Sequence, residues 1–222
     1  MRERFVGRTV IRRLPGLLAG LVLFGVGIAV MAASGLGLGP WEAFHQGISN
    51  RTGIPLGTVS ILVGIPVLAL WWPLGERPGI GTVLNVALIG TATNVALPLL
   101  PQPGEPVVQL AMSVGGVLLI GLGSGLYLGA DLGPGPRDGL MTGLHHRFNW
   151  SIRRARTAIE VSVLVAGFLL GGTIGLGTIL FAFGIGPVVQ VVLRVFDREG
   201  RVSRRRRPDL VEELESPGTV GE

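Results

Sequence analysis

The sequence predicts an all-α membrane protein of six transmembrane helices, arranged as two inverted three-helix repeats over residues ~14–100 and ~107–196. Three observations predict this: long charge-free stretches, an internal repeat, and a one-sided placement of arginine. Hydrophobic residues make up 48% of the chain and charged residues 15%, against about 25% charged in a soluble domain. Residues 82–102, 106–130 and 161–193 carry no charge at all. Each is long enough to cross a hydrocarbon core, which needs ~20 helical residues.

The repeat pairs residues 23–100 with 119–196 at a constant offset of 96 and without a gap. Leu36-Gly37-Leu38-Gly39-Pro40-Trp41-Glu42 falls on Leu132-Gly133-Pro134-Gly135-Pro136-Arg137-Asp138. Gly47 falls on Gly143; Gly79, Gly81 and Thr82 fall on Gly175, Gly177 and Thr178; Gly90 falls on Gly186. Tandem copies of one membrane unit are a common transporter plan.

The spans are placed at about 14–34, 54–74, 80–100, 107–130, 156–172 and 174–194, punctuated by glycine and proline. The fifth is the shortest. Residues 1–13 form a basic N-terminal segment, 14–196 the transmembrane domain and 197–222 a polar tail expected to be disordered. The first span resembles a secretory signal, but it is long for one, and the repeat pairs its end with a mid-chain span. With the N-terminus in the cytoplasm, 18 of the 19 arginines fall on the cytoplasmic side and only Arg51 outside. The positive-inside rule thus favours six spans with both termini in the cytoplasm of a bacterial inner membrane. Three spans per copy is odd, so the second copy is inverted relative to the first.

Arg204, Arg205, Arg206 and Arg207 form a polybasic run suited to anionic lipid headgroups. Gly121, Gly125 and Gly129 recur on one helix face and predict close packing. A second copy of the chain is a candidate partner; nucleic acid is not. With no cysteine, no Walker A loop, no G-x-S-x-G and no zinc motif, no enzyme activity, cofactor or metal is expected.

The candidate site starts from the repeated Gly-x-Gly-Pro segment. Gly37, Gly39 and Pro40, and Gly133, Gly135 and Pro136, should break one helix and start another. Glu42 and Asp138 then fall in the first turn of the new helix, where an acid complements the helix dipole. Two readings stand: an acidic first turn on a surface helix, or a broken helix that dips toward the membrane centre and presents both acids to a shared cavity. Such acids would bind a cation, a proton or a cationic substrate. Arg137 is a neighbouring partner. Arg156 and Glu160, spaced i, i+4, should pair on one helix face, either as a buried anchor or as a protonatable site. His45, His145 and His146 read as interface polarity. Asn85, Asn94, Gln109 and Gln190 read as interhelical hydrogen bonders, and Trp41, Trp71, Trp72 and Trp150 as an aromatic belt.

The string Gly133-Pro134-Gly135-Pro136-Arg137-Asp138-Gly139-Leu140-Met141 resembles the bacterial YczE/YitT-type integral membrane proteins, closest to the YczE branch. So do Arg156 with Glu160, Gly171-Gly172 before Gly175-x-Gly177-Thr178, Gly186-Pro187, and Leu38 to Ala43 in the first half. The resemblance implies a multi-span protein of the bacterial cytoplasmic membrane, and it assigns no catalytic residue. Trp41-Glu42 stands in the first copy where the second has Arg137-Asp138, so the halves are not equivalent sites. The expectation is a secondary transporter or exporter of a small solute, with proton coupling as one option. The alternative is an accessory protein that binds another membrane protein without turnover.

Overall fold

The computed structural model describes residues 2–196, and the side chains from residue 10 onward; the polybasic run Arg204–Arg207 and the tail expected to be disordered lie outside the described residues. Among them there is no strand. The helices are α1 (Arg2–Ser34), α2 (Pro40–Thr52), α3 (Leu56–Ala69), α4 (Trp71–Leu74), α5 (Ile80–Ala96), α6 (Pro106–Gly129), α7 (Pro136–Phe148), α8 (Ile152–Leu169) and α9 (Leu176–Phe196).

Five stretches are long and apolar enough to cross a membrane: Val10–Ser34, Leu56–Leu74, Ile80–Leu99, Pro106–Gly129 and Leu176–Phe196. The fifth predicted span is α8, which starts earlier than expected, at Ile152, and ends at Leu169. It falls short of the other five because Arg153, Arg154, Arg156 and Glu160 occupy its first half.

Helix starts coincide at the offset read from sequence: Pro40 with Pro136, Leu56 with Ile152, and Ile80 with Leu176. Every described residue with a positive φ falls in such a pair: Gly35 with Asp131, Gly37 with Gly133, Gly53 with Asn149, and Gly75 with Gly171. Gly37 (φ 107°) and Gly133 (φ 128°) adopt a backbone that only glycine takes readily.

α1 and α6 form the central pair. Gly20 sits against the backbone of Gly123, and Gly27 against that of Gly116, so the two helices run antiparallel with backbones close together. These two contacts exchange under the 96-residue shift, which carries Gly20 to Gly116 and Gly27 to Gly123. Leu17, Leu21, Ile28, Met31 and Ile120 are buried along this seam. α5 packs on α1 as α9 packs on α6. The predicted glycine face is the α6–α9 seam: Gly121 meets Val188, Gly125 meets Val192, and Gly129 faces Phe196.

The breaks are held across the halves. Gly177 N–H donates to Leu36 O at 2.8 Å, and Gly81 N–H donates to Leu132 O at 2.8 Å. Thr82 Oγ1 donates to Pro134 O at 2.7 Å and accepts from Gly79 N–H at 3.1 Å. α2 packs on α8 where Gly167 and Gly172 meet the backbone of Ala43. α7 packs on α3 and α4, and the Trp71 ring covers Gly139.

The aromatic belt holds only in part. Trp72 is 90% exposed and Trp150 is exposed, but Trp41 and Trp71 are buried. Trp71 Nε1–H donates to Pro136 O at 3.0 Å, so this ring is a wedge between halves.

Candidate functional site

Each break delivers an acid to the interior. Gly39 and Gly135 take extended backbone (φ −61°, ψ 162° and φ −65°, ψ 160°) and cap the new helices, with proline in the first turn. This places Glu42 and Asp138 two residues beyond proline, facing back toward their cap glycines. Glu42 is only 2% exposed. The surface-helix reading therefore does not describe α2, whose Trp41, Glu42, Ala43, His45 and Gly47 are all buried.

The halves meet at this point. Arg137 Nη2 lies 2.6 Å from Glu42 Oε1, and the Arg137 guanidinium sits 5.1 Å over the Trp41 ring, within cation–π range. Arg137 thus pairs with the acid of the other copy, not with adjacent Asp138. Neither Glu42 oxygen has a hydrogen bond among the described residues: Oε1 has the ionic contact and Oε2 no partner. The Trp41 Nε1–H is likewise buried without an acceptor. Asp138 has different company: the Tyr127 hydroxyl donates to its Oδ2 at 2.9 Å. No cation pairs with it among the described residues.

Arg156 Nε meets Glu160 Oε1 at 2.8 Å, the pairing the spacing predicted. The pair is not buried as an anchor; its side chains are 53% and 31% exposed. A cavity of about 240 Å³ explains the position. Glu42, Arg137, Asp138, Arg156 and Glu160 all line it, so one space collects the five charged candidates. Phe24, Val67, Ile89, Phe181 and Ile185 supply apolar wall, the mix typical of a small-molecule site. Three carboxylates face two guanidiniums, which leaves one negative charge in excess.

Sequence reasoning missed His45 and the role of Trp41 in this lining, and Tyr127 behind it as the donor to Asp138. Tyr127 is the only tyrosine in the chain, in an otherwise apolar span, and that oddity was the available signal. His45 belongs to the buried face of α2 beside Trp41, unlike half-buried His145 and exposed His146, which bond to Trp150 O and Glu76. Asn94 does hydrogen-bond between helices, to Thr58, while Asn85 and Gln190 line the cavity and Gln109 bonds locally to Pro103 O. Among the described residues no group of three His, Cys, Asp or Glu side chains could hold a metal ion.

No solved structure matches the chain. An uncharacterised protein of Haemophilus influenzae is 42% identical over 182 residues, covering 82% of this chain and 84% of that one. The uncharacterised membrane protein YczE of Bacillus subtilis is 35% identical over 181 residues, covering 79% and 82%. YyaS of Bacillus subtilis is 27% identical over 192 residues, covering 84% and 95%. The YczE side of the resemblance thereby holds. Residues 11–194, with their apolar helices and the breaks that carry Glu42 and Asp138, match one family model, and the chain belongs to that family, described as a family of unknown function (DUF6198).

Proposed function

We propose that this membrane protein is a secondary transporter or exporter of a small solute, and that the cavity between its halves is the solute site. One observation carries the proposal: charged residues from both repeats converge in one mostly apolar cavity, where isolated charge is costly unless it serves a ligand or a proton. The excess carboxylate favours a cationic solute or a proton.

In this reading the fold is six spans in two inverted repeats with both termini cytoplasmic, and α8 is the fifth span. Support comes from the antiparallel α1–α6 pair, whose glycine contacts exchange under the 96-residue shift. α8 also begins where the repeat places the counterpart of α3. Its C-terminal carbonyls, Leu169 O and Leu170 O, accept from Arg51 at 2.9 and 3.0 Å, which gives the lone arginine on the outer side a role. α2 and α7 would be half-helices at membrane depth, which lipid tolerates only where irregular backbone lines a cavity or is buried. Rocking one repeat against the other would open the cavity to each side in turn.

The test is a thermal-shift screen of purified protein against ions, amines, amino acids and nucleosides across pH. A bound solute at a hundredfold excess over its Kd stabilises by ~2.7 kcal/mol. Stabilisation that is lost in Asp138→Asn and in Glu42→Gln supports the proposal. Failure of every soluble compound to stabilise would move the weight to the accessory role, to be pursued by cross-linking.

A further inference from the structure

The two halves differ in one packing relation. α3 packs along α5, but its counterpart α8 does not pack along α9. The reason lies in three positions. On α3, Gly57 meets the backbone of Gly90, Gly64 faces the Val86 side chain, and Ser60 lies between them. Asn94 closes this seam by accepting from Gly57 N–H at 2.8 Å. The 96-residue shift replaces Gly57, Ser60 and Gly64 with Arg153, Arg156 and Glu160, and Asn94 with Gln190. Long charged side chains stand where small ones allowed contact. Gly186, the counterpart of Gly90, accordingly faces open space.

The result is a gap between α8 and α9 at which Arg156, Glu160, Ile185, Gly186, Val189 and Gln190 line the cavity. Its flanks are apolar and exposed: Val161, Val165 and Phe168 on α8, and Ile179, Phe183 and Val191 on α9. The gap therefore opens between two apolar faces, which in the six-span reading front the hydrocarbon region. Inside, Glu42 Oε2 is a buried acceptor with no hydrogen-bond partner among the described residues, and the three carboxylates outnumber the two guanidiniums.

We infer that the ligand is an amphiphile entering from the bilayer between α8 and α9, and that it is a phospholipid with an ammonium headgroup, of the phosphatidylethanolamine kind. The ammonium supplies donors for Glu42 and Asp138. The phosphate suits Arg156 at the mouth, where the side chain is half exposed. The acyl chains stay against the apolar flanks. An anionic head without an amine would add charge of the sign already in excess. The inference rests on the reading of the cavity as a ligand site.

Native mass spectrometry of the full-length protein in detergent tests it, with phosphatidylethanolamine and phosphatidylglycerol of identical chains as probes. Retention of the ethanolamine lipid should exceed that of the glycerol lipid by about tenfold, a difference of ~1.4 kcal/mol. Gly186→Trp, placed in open space, should plug the gap and remove that preference; Gly186→Leu offers a smaller plug should the larger one misfold. Gly115→Trp, also in open space but away from the cavity, should leave retention unchanged. Equal retention of the two lipids, or indifference to both Gly186 variants, overturns the inference. Soluble glycerophosphoethanolamine separates the two levels. If it stabilises the protein through Asp138 while the lipid preference is absent, entry from the bilayer is wrong and the ligand site stands. If neither the lipid nor the soluble head stabilises, the inference falls, and the cavity stands or falls as a solute site on the screen of soluble compounds.

Discussion

Glu42 and Arg137 meet at 2.6 Å, although they belong to different copies of the repeat and lie 95 positions apart. Glu42 is almost fully buried, and Arg137 is its ionic partner among the described residues. Arg137→Gln should destabilise the protein by roughly 3 kcal/mol, the usual cost of stranding a buried charge. Glu42→Gln should cost less, because Arg137 keeps partial access to solvent and the Trp41 ring. The double variant should be more stable than the sum of the single losses predicts. Thermal unfolding in detergent of all four proteins closes the cycle; strict additivity would mean that the pair is not coupled.

The second acid is held by a neutral donor. Tyr127→Phe removes the hydroxyl bonded to Asp138 Oδ2 and should cost about 1.5 kcal/mol, since a hydrogen bond to a charged group is worth more than a neutral one. In an Asp138→Asn background the same change should cost less. An equal loss in both backgrounds would show that the hydroxyl acts through something other than Asp138.

The chain has no cysteine, so single cysteines report depth directly. Thr52→Cys, at the exposed end of α2, should react freely with a bulky impermeant thiol reagent, while Glu42→Cys should resist it. The helix is only 13 residues long, so the contrast measures how far its first turn is withdrawn from the surface. Equal labelling rates from outside would contradict a buried first turn.

Much of this was legible in the sequence because repetition carries phase. The offset of 96 located the breaks, and with them the starts of α2 and α7, whereas α8 begins four residues before the span placed at 156–172. The i, i+4 spacing gave the Arg156–Glu160 pair. What was not legible is which charge meets which. Adjacency suggested Arg137 with Asp138, but consecutive helical residues point about 100° apart, and the cross-packing of the halves sets Arg137 over Trp41 and Glu42 instead. The burial of Trp71 was hidden for a similar reason. An interface position and a wedge position have the same apolar neighbours in sequence, and only the facing Gly139 distinguishes them.

The unequal seams predict an unequal response to the same substitution. Gly57 and Gly90 touch backbone to backbone, so a side chain at Gly57 must push α3 off α5. Gly57→Leu should destabilise by about 1–3 kcal/mol, the range for overpacking a filled interface, and it should also break the Asn94 bond to Gly57 N–H. Gly186→Leu is the matching change in the second half, where an added Cβ meets no neighbouring atom within 4 Å. It should change stability by no more than about 0.5 kcal/mol, as at an open surface position. Thermal unfolding of the two variants side by side measures the difference. A large loss at Gly186 would mean that α8 closes on α9 in the membrane, and the gap between them would then be a transient state of a seam that otherwise matches the one between α3 and α5.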